Sequence, residues 1–194
     1  MPGSLLQRIY WRILRAFGFE QLAWDKQFEA GVWCRGPRSA YTISRVAELC
    51  GGGRLVEFGC GEGSLPHLLP GGCFTEYFGY DISEVAIARA RQRASAANLT
   101  NCRFARLDMA QWAGVPLVTL VVAEECLYYL TRVEIEVFLR RCCDYLVPDG
   151  SILIVVHSAT KHASTLEVCR RVCRVIDETI VGSRTYLRLA ASKE

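Results

Sequence analysis

Apolar and polar residues follow each other along the chain in a pattern that predicts strands and helices in regular succession. Five short apolar runs, each bounded by glycine, proline or polar residues, predict strands. They are RLVEF, EYFGYD, CRFARLD, PLVTLVVAEE and SILIVV, which begin at residues 54, 76, 102, 116 and 151. The fourth run is apolar nearly throughout, as a strand buried on both faces of a parallel sheet should be.

Segments of helical character separate these runs. SEVAIARARQRASAAN begins at Ser83, a good N-cap, and TRVEIEVFLRRCCDYLV begins with Thr131 and Glu134, which can form a capping box. Helices are also predicted around residues 41–49 and over STLEVCRRVCRVI. The PDG sequence before SILIVV predicts a turn, and the tail ETIVGSRTYLRLAAS predicts two strands joined at Gly182.

This alternation predicts an α/β protein of three layers, with helices on both faces of a mostly parallel sheet. The two tail strands have no helix between them, so they are expected to add an antiparallel hairpin at the sheet edge. We expect one domain over residues 1–194 with a seven-stranded sheet. Residues 1–50 are expected to form a helical cap, and residues 54–194 the core.

The first predicted helix, SLLQRIYWRILRAFGF, is amphipathic and basic. Its apolar residues recur at helical spacing, while Arg8, Arg12 and Arg15 fall largely on the other side. Two interpretations stay open. The helix is either a lid over a ligand cleft, which we favour because the chain has little else to cover one, or an interfacial helix on a membrane surface.

Composition limits the class of protein. The chain has 194 residues and a net charge of +3, which by itself indicates no nucleic-acid partner. Its 10 cysteines form no C-x-x-C pair, and the N-terminus shows no secretory signal. We therefore expect reduced core thiols, no metal site and a cytoplasmic protein, either a monomer or a homodimer.

The first strand runs into a glycine-rich stretch, VEFGCGEGS, in which Gly59, Gly61 and Gly63 follow the acid Glu57. Ligands of open α/β sheets bind beyond the carboxyl ends of the strands, where glycine lets the backbone turn sharply and approach closely. The spacing is one residue shorter than the G-x-G-x-x-G of dinucleotide enzymes, and Glu62 would repel a pyrophosphate. A sulfonium nucleoside such as S-adenosylmethionine would meet no such penalty. A plain strand-to-helix turn is the alternative.

Polar groups also end the next three strands. Asp81 ends the second strand, where an acid can accept both hydroxyls of a ribose. Asp108 ends the third strand and can take an adenine amino group, with Met109 over the ring. Glu124 and Glu125 end the fourth strand. Together with the glycine loop, these groups indicate a nucleoside-binding cleft more specifically than any one of them alone.

With the glycine loop, Asp81, Asp108 and LVPDGSILIVV in this order and spacing, the chain resembles class I S-adenosylmethionine-dependent methyltransferases over nearly its whole length. AEECLYYL resembles the small branch that includes the nodulation N-methyltransferase, and WDKQFEAGVW resembles a segment of related small-molecule and sugar methyltransferases. The resemblance implies a Rossmann-like fold and S-adenosylmethionine as cofactor. The residues that it implies in cofactor binding are Glu57, Gly59, Cys60, Gly61, Asp81, Ile82, Asp108, Met109, Glu124 and Trp33, with Arg38 as an alternative to Trp33.

Methyl transfer needs the acceptor atom and the methyl group in line. An amine acceptor needs only to be neutral, whereas a hydroxyl usually needs a base or a metal. Candidate catalytic residues near the strand ends are His157, Glu125 and Tyr129, with Tyr128 and His162 as further bases. His157 directly follows the fifth strand and is expected to face the cleft. Glu125 can instead hold a cationic amine, and the tyrosines can equally belong to the core.

The leading hypothesis is therefore a methyltransferase that acts on N or O of a small molecule, such as a sugar or a specialised metabolite. A non-catalytic protein that binds S-adenosylmethionine and supports another enzyme is the first alternative. A dinucleotide oxidoreductase is the second, and the spacing of the glycines argues against it.

Overall fold

The structure is a computed structural model that describes residues 19–33, 38–115 and 117–191. Seven strands form one sheet. They are β1 (Arg54–Phe58), β2 (Glu76–Asp81), β3 (Cys102–Arg106), β4 (Val118–Glu124), β5 (Leu146–His157), β6 (Arg174–Val181) and β7 (Arg184–Ala190). Their order across the sheet is β3-β2-β1-β4-β5-β7-β6. The first five strands pair in parallel, and β7 is antiparallel to both β5 and β6. The predicted fold class is confirmed.

Six α-helices lie within the described residues. They are α1 (Glu20–Glu29), α2 (Ala40–Cys50), α3 (Leu65–Leu68), α4 (Glu84–Ala96), α5 (Arg132–Tyr145) and α6 (Ala163–Val172). Two 3₁₀ turns, Met109–Gln111 and Leu127–Tyr129, follow β3 and β4. Within the described ranges, no helix combines the length and the apolar character needed to cross a bilayer.

The core has two halves, one on each face of the sheet. Ile152 and Ile154 point into a cluster with α5 and α6, whereas Leu153 and Val155 point into a cluster with α2 and α4. This alternation follows from the two-residue repeat of a strand. It leaves most residues of the central strands β4 and β5 buried on both faces of the sheet, which explains their long apolar runs.

The order of the strands determines where a ligand can bind. The chain leaves β1 towards β2 and β3 on one side and later crosses to β4 and β5 on the other. A crevice therefore opens beyond the carboxyl ends of β1 and β4, because the connections on either side diverge there.

Two predicted helix starts are confirmed in atomic detail. The Ser83 hydroxyl accepts a hydrogen bond from Ala86 N at 3.1 Å at the start of α4. The Thr131 hydroxyl accepts from Glu134 N, and the Glu134 carboxylate accepts from Thr131 N, so the predicted capping box is present at α5.

Two predicted boundaries differ from the structure, and one helix was not predicted. The PDG turn is a bulge inside β5, because Val118 pairs with Leu146 while Leu120 pairs with Ser151. The last helix ends at Val172 rather than at Ile176, since the following β-branched residues pair with β7. Helix α1 was not predicted as an element of its own. The first predicted helix, residues 4–17, lies outside the described residues.

The cysteines in the described part of the chain are all free thiols, as expected; Cys34 lies outside this part. Burial raises the pKa of the Cys50 and Cys169 thiols to about 12. Both thiols therefore stay protonated and act as small apolar side chains.

We expect Thr131→Ala to lower the free energy of unfolding by about 1 kcal/mol, because Glu134 N loses its capping partner. Urea denaturation measures the change. Thr160→Ala is the matched control, since Thr160 is exposed in a turn. Equal effects of the two changes would show that the capping box does not stabilise α5.

Candidate active site

A cleft of about 470 Å³ lies beyond the carboxyl ends of β1, β2 and β4. Helix α1 contributes to its opposite wall. The cleft brings together most of the residues that the sequence singled out, and their roles in binding stay predictions. The predicted residues on its lining are Trp33, Gly59, Cys60, Gly61, Asp81, Ile82, Asp108, Met109, Glu124, Glu125 and Tyr129. Arg38, the alternative to Trp33, also lines the cleft.

The glycine loop after β1 needs glycine for two different reasons. A Cβ on Gly63 would lie 2.8 Å from the Phe104 ring, and one on Gly59 would lie 2.8 Å from Cys126 Cβ, so neither position has room for a side chain. A Cβ on Gly61 would lie at an ordinary 3.7 Å from Phe28. The φ of +54° at Gly61 is what disfavours other residues there.

Asp81 holds this loop against the end of β2. Its two carboxylate oxygens accept backbone hydrogen bonds from Gly61 N and Ser83 N, both at 2.9 Å. The residue is 8% exposed, and burial raises the pKa of its carboxyl group, although the two N–H donors act in the opposite direction. Asp81 therefore shapes the cleft as well as lining it.

Glu57 does not line the cleft, although the sequence placed it among the cofactor-binding residues. It is fully buried behind the glycine loop, where it contacts the guanidinium of Arg38 and accepts a hydrogen bond from the Tyr77 hydroxyl. Burial outweighs these partners and raises the pKa of Glu57. Its position makes Glu57 an anchor for Arg38.

Arg38 joins two strand ends through one side chain. Its Nη1 lies 2.6 Å from Glu124 Oε2, its Nη2 contacts Glu57, and its Nε donates to Ser64 Oγ at 3.2 Å. Burial alone would lower the pKa of Arg38. The charges of Glu57 and Glu124 outweigh this effect, and the pKa of Arg38 is raised above its usual value. The guanidinium therefore stays charged.

The residues that follow β3, Leu107, Asp108 and Met109, line another side of the cleft. Asp108 caps the turn Met109–Gln111 by accepting a hydrogen bond from Ala110 N at 2.9 Å. Leu107, which the sequence did not single out, lines the cleft beside Ile82. Its backbone N donates to Asp81 O at 2.8 Å, and this bond couples the ends of β2 and β3.

Helix α1 is fastened over the glycine loop by Asp25. This carboxylate accepts hydrogen bonds from Ser83 Oγ at 2.6 Å and from Val85 N at 3.2 Å, so it adds a second cap to α4. Arg89 donates to Phe28 O at 2.9 Å. No sequence pattern had indicated Asp25, because its partners lie about sixty positions away along the chain.

Glu125 lines the cleft at the end of β4 and has a strained backbone conformation. Its φ is +59°, and its Oε2 accepts a hydrogen bond from the Tyr128 hydroxyl at 2.9 Å. Burial raises the pKa of Glu125, against the effect of Tyr128. The Tyr128 ring stacks on His162 with 3.8 Å between centroids, and Tyr129 packs edge-on against Trp24 at 5.0 Å.

His157 does not line the cleft, although it lies close enough to Glu125 to lower the pKa of that carboxyl group. It ends β5, where it is exposed, and it is not among the residues that line the cleft. The expectation that it faces the cleft came from its position after the apolar run, but β5 extends to His157 and pairs there with Arg184 of β7.

Buried polar atoms without a partner are concentrated in the cleft. Four such side-chain atoms occur among the described residues, on His67, Trp112, Glu125 and Arg184. All except Trp112 line the cleft. Buried polar groups in proteins are nearly always satisfied, so these atoms have capacity for hydrogen bonds to water or to a ligand. Among the residues described, no three acidic, histidine or cysteine side chains cluster as metal ligands would.

The fold and the cleft are those expected of a class I S-adenosylmethionine-dependent methyltransferase. Residues 55–150 match the family described as Methyltransferase domain. The predictions of an enzyme and of its cofactor, S-adenosylmethionine, are confirmed. Among curated proteins, none matches the chain.

Several solved structures share the fold. The N-methyltransferase NodS from Bradyrhizobium japonicum WM9, in complex with S-adenosyl-L-homocysteine, is 16% identical with a TM-score of 0.65, over 79% of this chain and 87% of that one. A TehB-like S-adenosylmethionine-dependent methyltransferase from Corynebacterium glutamicum is 17% identical with a TM-score of 0.65, over 89% and 98%. The mitomycin 7-O-methyltransferase MmcR is 12% identical with a TM-score of 0.63, over 94% and 60%.

The residues of the cleft fit this cofactor. The glycine loop presents backbone without side chains, Asp81 presents a carboxylate beside it, and Ile82, Leu107 and Met109 offer an apolar surface for a flat ring. Arg38 adds a cation at the other end.

We expect Asp81→Asn to weaken S-adenosylmethionine binding by about tenfold or more, because charge-assisted hydrogen bonds at the cleft are lost. Calorimetry on the folded variant gives the affinity. Glu76→Gln is the control, since Glu76 lies at the opposite end of β2 and pairs with Arg54. An unchanged affinity for the Asp81 variant would remove this residue from the cofactor site.

We expect Asp25→Ala to loosen α1 and to weaken cofactor binding about three- to tenfold, because the population with a closed cleft falls. Hydrogen exchange of residues 20–29 should become faster in the variant. Glu29→Ala, an exposed change on the same helix, should leave both measurements unaltered. Faster exchange with full affinity would show that α1 is not part of the cofactor site.

Proposed function

We propose that this protein transfers the methyl group of S-adenosylmethionine to N or O of a small molecule, in the class of sugars or specialised metabolites. The observation that carries the proposal is the cleft of about 470 Å³, which runs from the glycine loop to Glu125 and Tyr129. Its volume is in the range of sites for small ligands, and its lining includes buried side-chain atoms of Glu125 and Arg184 without a partner among the described residues.

We assign the roles in the cofactor half of the cleft from the family resemblance, and the free hydrogen-bonding capacity of Asp81 supports them. Each Asp81 oxygen accepts one backbone N–H and keeps capacity for one ribose hydroxyl. Ile82 and Met109 flank the adenine, and Asp108 takes its amino group. Gly59, Cys60 and Gly61 line the methionine chain, with Trp33 or Arg38 next to its carboxylate.

Glu124 and Glu57 serve the cofactor mainly through Arg38. Both carboxylates contact that guanidinium, which is therefore kept charged and in place. Arg38 can then offer a cation to a carboxylate in the cleft without a large change of its own position. This division leaves the Glu124 backbone, rather than its side chain, for the methionine amino group.

The chain's contribution to catalysis is positioning and exclusion of water. S-adenosylmethionine, when bound, supplies a methyl group made electrophilic by its sulfonium. Trp24, Phe28 and Trp33 wall the cleft opposite the strand ends, so water is kept from the reacting atoms. Holding the acceptor in line with the methyl group can lower the activation barrier by about 7–11 kcal/mol.

The proteins of similar fold are named for methyl transfer to different atoms, nitrogen in one case and oxygen in another. NodS is an N-methyltransferase, and MmcR is a mitomycin 7-O-methyltransferase. Both chemistries are compatible with a fold in which the acceptor end of the cleft sets the specificity. They support a small-molecule acceptor for this chain as part of the proposal.

We propose in addition that residues 1–50 form the cap and residues 54–194 the core of one domain. Helix α1 lies over the strand ends, in support of a cap, whereas α2 packs on the sheet through Val46 and Cys50. A cytoplasmic protein with no nucleic-acid partner, a monomer or a homodimer, accords with the low net charge and the free thiols.

The proposal is tested by incubating the protein with radiolabelled S-adenosylmethionine and a protein-free metabolite extract. We expect label in small-molecule products with the native protein and about tenfold less with Asp81→Asn at limiting cofactor. Cofactor binding by calorimetry, without any labelled small molecule, would contradict the proposed function and favour the non-catalytic alternative.

A further inference from the structure

Glu125 has a left-handed backbone conformation that residues other than glycine rarely adopt. It directly follows β4, its φ is +59°, and its N donates to Val155 O at 2.9 Å. The hydrogen bond to β5 holds the residue in this left-handed region. Strained residues of this kind persist where the surrounding structure fixes them, and they cluster at functional sites.

The carboxylate of Glu125 is only half satisfied. Tyr128 donates to Oε2 at 2.9 Å, whereas the buried Oε1 has no partner among the described residues. The residue lines the cleft. A buried carboxylate oxygen without a donor is unfavourable, so a donor on a ligand would stabilise the complex at this point.

The charges around the cleft favour a cationic donor. Six carboxylates and three arginines occur on its lining. Arg38 is held by Glu124 and Glu57, and Arg93 lies 4.0 Å from Glu62. Arg184 lies on β7, and β5 separates this strand from β4, which precedes Glu125. The backbones of β7 and β4 are therefore about 10 Å apart.

No lysine or arginine among the described residues forms an ion pair with Glu125. Glu124 adds a second negative charge, whereas the Tyr128 hydroxyl and the charge and backbone of His157 favour the charged carboxylate and lower the pKa of Glu125. Tyr129 and Trp24 line the same end of the cleft as an edge-on aromatic pair. Aromatic faces beside a carboxylate are a favourable setting for an organic cation.

We propose that Glu125, positioned by Tyr128, binds a protonated amino group of the methyl acceptor, which is therefore a primary or secondary amine. This inference rests on the proposed function and specifies its substrate class. Glu125 Oε1 accepts the hydrogen bond of the ammonium group. Trp24 and Tyr129 enclose the carbon atoms next to it.

The same carboxylate accounts for the protons of the reaction. Glu125 takes one proton from the ammonium group, which leaves a neutral amine with a free electron pair. That pair forms the N–C bond to the methyl group as the C–S bond breaks, and the sulfonium electrons return to a neutral thioether. The methylated nitrogen then keeps its positive charge, and the proton on Glu125 leaves to solvent.

The test uses two small probes of the same shape, benzylamine and benzyl alcohol, with the protein saturated in S-adenosyl-L-homocysteine. Calorimetry at neutral pH should show benzylamine binding to the native protein about tenfold or more tightly than benzyl alcohol. Glu125→Gln should remove this preference while S-adenosyl-L-homocysteine still binds. Glu167→Gln, an exposed change on α6, should keep the preference.

Tyr128→Phe tests the positioning role, because it removes the hydroxyl and keeps the ring on His162. The hydroxyl stabilises the charged carboxylate and lowers the pKa of Glu125, so its loss should raise that pKa. Benzylamine affinity falls as the pH falls through the pKa of Glu125. We expect the midpoint of this fall to move to higher pH in the variant. A purely structural tyrosine would leave the midpoint in place.

The outcomes separate this inference from the proposed function. Equal binding of the two probes, no binding of either, or an unchanged preference in Glu125→Gln would overturn the amine site. In the radiolabel experiment, products retained on a cation exchanger support an amine acceptor, and neutral products contradict it. Absence of any labelled product would contradict the proposed function and the inference that rests on it.

Discussion

The active-site cleft depends on one buried ion cluster. Arg38 precedes α2 and contacts both Glu57 at the end of β1 and Glu124 at the end of β4. Removing one member of such a cluster leaves an uncompensated buried charge, at a typical cost of about 3–5 kcal/mol. The three side chains must therefore be present together. Because they join the segment before α2 to two neighbouring strands, they fix the spacing of the crevice in which the cofactor binds.

The ion cluster also explains why an acid stands before the glycine loop. The family resemblance had implied that Glu57 binds the cofactor. In the structure its carboxylate is fully enclosed between Arg38 and Tyr77. The sequence identified the right residue type at the right place, but it could not show the partner, since Arg38 lies on a different element. The pattern of residues around Glu57 cannot predict a contact with a residue on a distant segment.

The fold was predictable wherever burial alone determines the local structure. Strands β1 and β2 begin and end where their apolar runs do, and the capping box at Thr131 uses residues only three positions apart. Helix α1 was not predicted because its residues are mostly polar and Asp25 caps another helix rather than its own. The placement of His157 outside the cleft lining could not be predicted for a similar reason. Its pairing with Arg184 depends on β7, which no residue near His157 specifies.

The two halves of the cleft differ in how far the protein satisfies its own polar groups. On the cofactor side, Asp81 and Asp108 already accept hydrogen bonds from backbone N–H groups, so their carboxylates are in place before any ligand binds. On the acceptor side, buried atoms of Glu125 and Arg184 have no partner in the part of the chain that the structure describes. A preorganised half suits a ligand that is the same in every turnover. The half with unpartnered groups discriminates more sharply, because an acceptor that lacks the matching donor leaves a buried carboxylate oxygen unsatisfied.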